Sequence, residues 1–459
     1  MPVRSVLAAL ALAPWLLAQE PTPSEPPRTA EERCAALLAA ALEQNRAWPL
    51  LEDLAKVAPH RLSGSPGLAR AVEWARARMA AIGLDAVRLQ EVAVPHWERG
   101  EVASFTVATG AGEESFPILA LGGSVGTPSE GLAAELVMVR SFEDLRALGE
   151  RARGRIVFFN RPMPRALQNT FQAYGQAVPQ RSSGASEAAR AGGVAALVRS
   201  MTTRIDDHPH TGAMHYADGV AKVPSAAIST RGAERLAALL AKGPVVGRLR
   251  LDCRTLPDAP SHNVLGELRG RELPDEIVVI GAHLDAWDVG HGAHDDGAGV
   301  AHCLEAVRLL RELGLRPRRT IRVVLFTNEE NGLRGARAYA ELAAKEGRRH
   351  VAAFETDRGG GMPVGLTASY TGAELEALRE AIQPLRDRGM GQLVGGGSGG
   401  ADVSVLKPMG VPVFDLITAA HRYFNFHHAD TDRVENVDER ELAVGAAVVA
   451  WFAHLLAER

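Results

Sequence analysis

The feature that most limits what this chain can become begins at His262 and runs to the C-terminus. Short, almost wholly apolar runs alternate there with longer stretches of helical periodicity. The runs 276–282, 320–327, 350–355 and 411–417 read as buried strands, rich in Val, Ile and Phe. The stretches 297–313, 333–345, 372–386 and 439–457 repeat apolar residues at helical spacing. Strands this apolar need cover on both faces, and a helix between successive strands returns the chain for parallel pairing. The expected fold is α/β: a mixed, mostly parallel open sheet with helices on both faces. Ligands of such sheets gather at the carboxyl ends of the strands.

The chemistry-bearing residues come directly after these strands. His283 and Asp285 follow the first, and Asp295-Asp296-Gly297 opens the helix behind it. Glu329-Glu330 follow the second, Asp357 the third, and His427-His428 with Asp432 lie beyond the fourth. Singly, each has an ordinary structural role. His283 could bond backbone at a strand end, Asp295 could cap a helix, Glu329-Glu330 could be solvated, and Asp357 could cap a turn. Jointly they set carboxylates and imidazoles on one rim, which is the pattern of a metal site. Imidazole and carboxylate suit Zn²⁺ where no thiolate is offered, and so acidic a rim stays ionised only beside cations. A pair of metals about 3.5–4 Å apart needs a carboxylate to bridge them. Neighbouring residues at a strand end point different ways, so one Glu can ligate while the other acts as base to a water.

Four segments carry a resemblance: 281–300 (GAHLDAWDVGHGAHDDGAGV), 313–332 (LGLRPRRTIRVVLFTNEENG), 354–360 (FETDRGG) and 423–434 (YFNFHHADTDRV). They resemble the zinc-dependent exopeptidase family of secreted aminopeptidases and glutamate carboxypeptidases, with its carboxypeptidase Q branch nearest. The likeness includes 183–229, with His210-Thr211-Gly212 and Val223-Pro224, and runs over most of the chain after residue 30. It implies the zinc exopeptidase fold, two Zn²⁺ ions (Co²⁺ or Mn²⁺ as substitutes) and short peptides or dipeptides as substrates. By the same likeness, His283 and Asp357 are the terminal ligands of one zinc, Glu330 and His428 those of the other, and Asp295 the bridge. Glu329 resembles the general base and Asp285 the carboxylate that orients the His283 ring. Asp432 is expected to orient His428 in the same way. His291 and His294 depart from the family pattern. Either His427 or His428 could ligate, and the four-residue step to Asp432 favours His428.

The domain organisation expected is a signal peptide over 1–18, a flexible leader over 19–30 and the N-terminal part of the peptidase domain over 31–129. An inserted protease-associated α/β domain is expected over 130–255, flanking the cleft, and the peptidase domain with the metal site over 256–459. The signal peptide rests on Arg4, an apolar run interrupted by Pro14, and a closing Ala18. It implies a secreted or periplasmic protein without stable membrane insertion. No later stretch reads as long and apolar enough to span a bilayer. Lys+Arg number 51 against 55 Asp+Glu, so no basic excess exists to displace counterions from a nucleic acid. Three cysteines, Cys34, Cys253 and Cys303, form no disulfide framework, although a Cys34–Cys253 bridge is compatible with the sequence.

Other motifs are weaker. His208, His210 and His215 read as a solvated loop cluster. The glycine run 395–400 lacks the Lys-Ser/Thr of a phosphate loop and reads as a flexible loop near the cleft, and its Ser398 has no evident triad partner. The chain therefore reads as a two-zinc exopeptidase acting on short peptides, compatible with a homodimer. The alternatives are an aminopeptidase with the same site, single-zinc glutaminyl cyclase chemistry, and a non-catalytic receptor-like ectodomain.

Overall fold

Side chains alternate across a strand, and in the segment Leu273–His283 both sets are apolar. Val278, Ile280 and Ala282 join one core, and Ile277 and Val279 join another on the opposite face. That double burial places the segment at the centre of a sheet. The computed structural model, which describes residues 29–110 and 112–459, shows it there. The signal peptide expected over 1–18 and nearly all of the 19–30 leader lie outside the described residues.

The first sheet has eight strands. Its middle four, Arg319–Phe326, Leu273–His283, Arg349–Glu355 and Val413–Thr418, are parallel neighbours in that order. Asp85–Glu98 and Arg254–Leu268 extend one side by antiparallel pairing. Pro363–Ala368 and Gln392–Val394 extend the other. The helices Pro66–Ile82, Ala298–Glu312 and Glu439–Glu458 pack on one face, and Arg334–Lys345 on the other. Phe354, Phe414 and Phe452 meet edge-to-face in the larger core, at 5.0 and 5.3 Å between ring centroids. Full burial of such a side chain stabilises by about 1.5–3 kcal/mol.

A second eight-stranded sheet is drawn from residues 103–251. Leu132–Val139, Ile156–Phe159, Ala195–Arg199 and Ser225–Ile228 are its parallel strands. The strands Ala103–Thr109, Gly112–Phe116 and Ile118–Ala120 belong to this sheet as well, so it takes in residues that the sequence reading assigns to the N-terminal part. Val246–Leu251 is a further strand that the sequence reading lacks. Its alternation of buried Gly247, Leu249 and Leu251 with exposed residues is the available signal.

Smaller departures have local causes. At the N-terminal side the chain forms two helices, Ala30–Gln44 and Ala47–Val57, because Asn45 takes a left-handed conformation (φ 39°) and caps the first. The helix expected over 372–386 breaks at Ile382, with Pro384 in the first turn of the short helix Gln383–Arg386. All three cysteines are free and buried, so the Cys34–Cys253 bridge is absent. Among the described residues Glu439–Glu458 is long and apolar enough to cross a bilayer, contrary to expectation, but it packs in the core and is buried along most of its length.

Burial holds three histidines outside the ligand candidates in their neutral form: it pulls His302 down to about 3, and His350 and His454 down to about 4. In the unfolded chain each would titrate near 6.5. Their contribution to stability is therefore complete above pH 6.5 and lost as pH falls towards 4. The urea midpoint is expected to drop between pH 7 and pH 5, and His302→Gln to make that drop shallower. A midpoint flat over this range would contradict the neutral state of these side chains.

Candidate metal centre

The carboxyl ends of the four parallel strands deliver the predicted residues to one rim. His283 is the last residue of its strand, Glu329 and Glu330 follow Arg319–Phe326, and Asp357 follows Arg349–Glu355. Asp295 lies in a tight turn before the helix Ala298–Glu312, in a cis peptide with Asp296. His428 comes from the loop after Val413–Thr418.

The five ligand candidates converge. His283 Nε2 is 3.3 Å from Asp295 Oδ1 and 3.4 Å from Asp357 Oδ1. His428 Nε2 is 3.1 Å from Asp295 Oδ2 and 3.2 Å from Glu330 Oε2. Asp295 thus turns one oxygen to each imidazole, and the cluster divides into two halves sharing that carboxylate.

The ring nitrogens have assignable roles. His283 Nδ1 is 3.0 Å from the backbone carbonyl of Asp285, which can only accept, so Nδ1 carries the proton. In the neutral ring Nε2 then offers a lone pair. It is buried without a hydrogen-bond partner, as is Glu330 Oε1. Buried polar atoms are almost always paired, so two orphans in one acidic cluster fit a cation. For His428, Nδ1 faces the Thr211 carbonyl and the Arg181 guanidinium, each at 3.3 Å. Donation to Thr211 leaves Nε2 free to ligate. Donation from Arg181 would put the proton on Nε2, so only the first arrangement suits a metal.

Electrostatics favour the same conclusion. Burial, with Asp295 adding to it, pushes Glu330 up to about 7. Burial and Asp357 push Glu355 up to about 8. Glu329 and Asp296 are raised well above the usual range, again by burial first. Asp295 goes the other way: burial opposes its charge, but it meets two imidazoles where Glu330 meets one. Burial also opposes charge on His428, yet Glu330 and Asp295 lift it to about 10. Carboxylates that resist ionising beside imidazoles that hold protons describe a site with too little positive charge.

The supports differ from those expected. Asp285 does not receive the His283 ring proton on its carboxylate, which is 3.9 Å from Nδ1. Its carboxylate accepts the backbone N–H groups of Glu329 (3.0 Å) and Glu330 (3.3 Å), and so fixes the Glu pair. Asp432 does not orient His428. It accepts the backbone N–H groups of His294 (2.7 Å) and Asp295 (3.1 Å), because the loop after His428 turns back against the Asp295 turn. Arg61, wholly buried, donates to the carbonyls of Leu284, His291 and Gly292 and pins the segment joining His283 to Asp295. Nothing in the sequence near Arg61 signals this, since its partners lie more than two hundred residues away.

Of the other candidates, His427 joins the cluster beside Asp295 and His428, and the rest fall outside it. His294 is buried with its ring nitrogens taken by the Asn436 carbonyl and the Gly360 N–H, and it stacks on Phe426. His291 Nδ1 accepts the Val434 N–H. His427 stacks on His428 at 3.6 Å and reaches to within 3.6 Å of Asp295 Oδ2. His215 is exposed, as expected, but His208 is half-buried and faces the Asp430 carboxylate at 2.8 Å, and His210 is buried and bonded to the His427 carbonyl. Ser398 is exposed and faces no imidazole, its hydroxyl meeting the Gly399 carbonyl. The end of the glycine run instead brings backbone against Glu355, whose carboxylate takes the N–H groups of Asp402 and Val403. A Cβ on Gly400 would come within 2.3 Å of that carboxylate.

The geometry can be set beside known proteins. Residues 263–453 match peptidase family M28, and carboxypeptidase Q of Homo sapiens is 37% identical over 421 residues, 90% of this chain and 86% of the relative. This chain belongs to peptidase family M28. The crystal structure of a peptidase M28 precursor from Shewanella amazonensis SB2B is 35% identical, covers 94% of this chain and 97% of its own, and superposes with a TM-score of 0.89. A zinc aminopeptidase from Bacillus subtilis shares the fold at 20% identity, with 88% and 93% coverage and a TM-score of 0.63. The sequence resemblance is thereby confirmed: the protein is an M28 peptidase of mixed α/β fold. Of the four segments that carried it, 281–300, 313–332, 354–360 and 423–434, all lie inside the matched region.

The Asp432 contacts make a testable case. Asp432→Ala removes both acceptors for the Asp295 turn, and loss of such an outer partner costs about 10–100-fold in metal affinity. Competition with a coloured chelator for Zn²⁺ measures this, and an unchanged affinity would show that the turn holds itself.

Proposed function

We propose that this M28 peptidase is an exported two-zinc exopeptidase that hydrolyses dipeptides and other short peptides with free ends. The observation that carries the reading is Asp295, with one oxygen 3.3 Å from His283 Nε2 and the other 3.1 Å from His428 Nε2. A carboxylate shared in this way suits two cations. His283 and Asp357 would hold one, Glu330 and His428 the other, and Co²⁺ or Mn²⁺ could replace Zn²⁺ in such a donor set. When bound, the pair supplies Lewis acidity to the peptide carbonyl and lowers the pKa of water.

The residues of the chain supply the rest. Glu329 takes a proton from the attacking water on its carboxylate, and the water oxygen bonds to the peptide carbon. As the C–N bond breaks, Glu329 gives that proton to the departing amine. Its raised pKa, set by burial and by neighbouring Asp357 and Glu330, suits a group that must both accept and release a proton. Asp285 is the positioning carboxylate, acting on Glu329 through its backbone N–H. The second sheet, drawn from residues 103–251, forms the protease-associated insert beside this cleft, wider at its N-terminal side than the 130–255 expected, and the 1–18 pattern directs the chain to secretion or the periplasm.

Carboxypeptidase Q relatives favour hydrolysis guided by a free carboxylate, whereas the fold shared with a zinc aminopeptidase favours recognition of a free amine. Metal analysis with a panel of dipeptides, free and blocked at either end, separates them: two zinc equivalents and loss of turnover on blocking the carboxylate support the first. Loss on blocking the amine supports the second, and one equivalent would point to single-zinc chemistry. Glu329→Gln should keep its metal and lose about 10²–10⁴-fold in kcat. A near-normal rate would remove Glu329 from the reaction.

A further inference from the structure

We propose that the second sheet is part of the metal-holding machinery, with His210 a positioning residue for His428. The cation on Glu330 and His428 is then gripped firmly only while the 210–212 loop clasps the His427-His428 turn. The inference rests on the two-metal reading above and assigns its two halves different supports.

Several hydrogen bonds cross between the layers at this turn. His210 Nδ1 donates to the His427 carbonyl at 2.6 Å. The Thr211 N–H donates to the His428 carbonyl at 2.9 Å, and His428 Nδ1 lies 3.3 Å from the Thr211 carbonyl. Donation along this last contact leaves Nε2 free for a cation, whereas donation from Arg181 Nη1 to the same nitrogen does not. His428 needs such a grip because its φ is +63°, a conformation that non-glycine residues rarely adopt and that surrounding structure must impose.

The clasp is itself anchored in the second sheet. Its loop runs from Ala195–Arg199 to Ser225–Ile228. The His210 N–H donates to Ser200 Oγ, the Thr211 hydroxyl to the Ala120 carbonyl, and the Gly122 N–H to the Gly212 carbonyl. Gly212 takes a φ of +132° that disfavours other residues, and a Cβ there would also lie 2.3 Å from the Arg181 guanidinium. Tyr423 and Phe424, just before the turn, are buried in a core of the second sheet.

The other half of the site leans on the second sheet less directly: Trp287 packs in that sheet's core and Asp288 pairs with Arg99, but the supports of His283 and Asp357 themselves come from the first sheet. His283 Nδ1 is satisfied by the Asp285 carbonyl two residues on. Asp357 lies just past the end of its own strand, and Arg61 holds the 284–292 segment from the N-terminal helical region.

Metal-free protein titrated with Co²⁺, followed by visible absorption and calorimetry, tests this. Wild type should take up two equivalents. His210→Phe should weaken one equivalent about 10–100-fold and leave the other unchanged, while His210→Asn, whose amide can reach the same carbonyl, should recover most of that loss. Wild-type binding of both equivalents by His210→Phe would overturn the proposal. So would equal weakening of both equivalents with a lowered Tm that His210→Asn does not restore, because that marks a general structural role. A wild type that takes up one equivalent would instead overturn the two-metal reading, and the asymmetry with it.

Discussion

Everything at the rim depends on bringing acidic side chains into a buried space where they cannot all be ionised alone. Asp295 and Glu330 lie within 3.3 Å of imidazole nitrogens, and Asp296, Glu329 and Glu355 crowd behind them under a heavy burial cost. A protein keeps such a cluster only where something repays the desolvation. The unpartnered His283 Nε2 and Glu330 Oε1 mark where that compensation enters. The sheet exists, in this sense, to hold opposed groups closer than they would choose.

The means of holding are mostly backbone contacts. Asp285 fixes the Glu pair by its N–H groups, Asp432 fixes the Asp295 turn, and Arg61 ties three carbonyls of the intervening segment. Each anchors main chain rather than the ligating side chain itself. Fixing the backbone on both sides of a ligand restricts the rotamers from which it can reach the site, so the ring or carboxylate needs less support of its own. The second sheet adds the same kind of contact to the His427-His428 turn.

The sheet strands and the ligand candidates were legible because their signals are local. Val278, Ile280 and Ala282 alternate with Ile277 and Val279, and that pattern alone calls for cover on two faces. The residues just after each strand then had to share a rim, since parallel strands end on the same side. What failed to show was contact across long separations. His210 reads as one of three loop histidines, yet it is buried against His427, and nothing local marks Arg61 as a buried anchor. The strands over 103–120 gave no sign of which sheet they would join, because pairing partners such as Val246–Leu251 lie far along the chain.

The sequence by itself determined an alternating α/β frame, the order of its central strand-forming runs, and the His, Asp and Glu residues that end them. Period and composition fix those properties residue by residue. Only the tertiary structure decided which backbone each support would hold, which nitrogen of His283 and His428 faces the cluster, and that the second sheet grips the His427-His428 turn. These are set by distances between segments remote in sequence, and no local pattern encodes such distances.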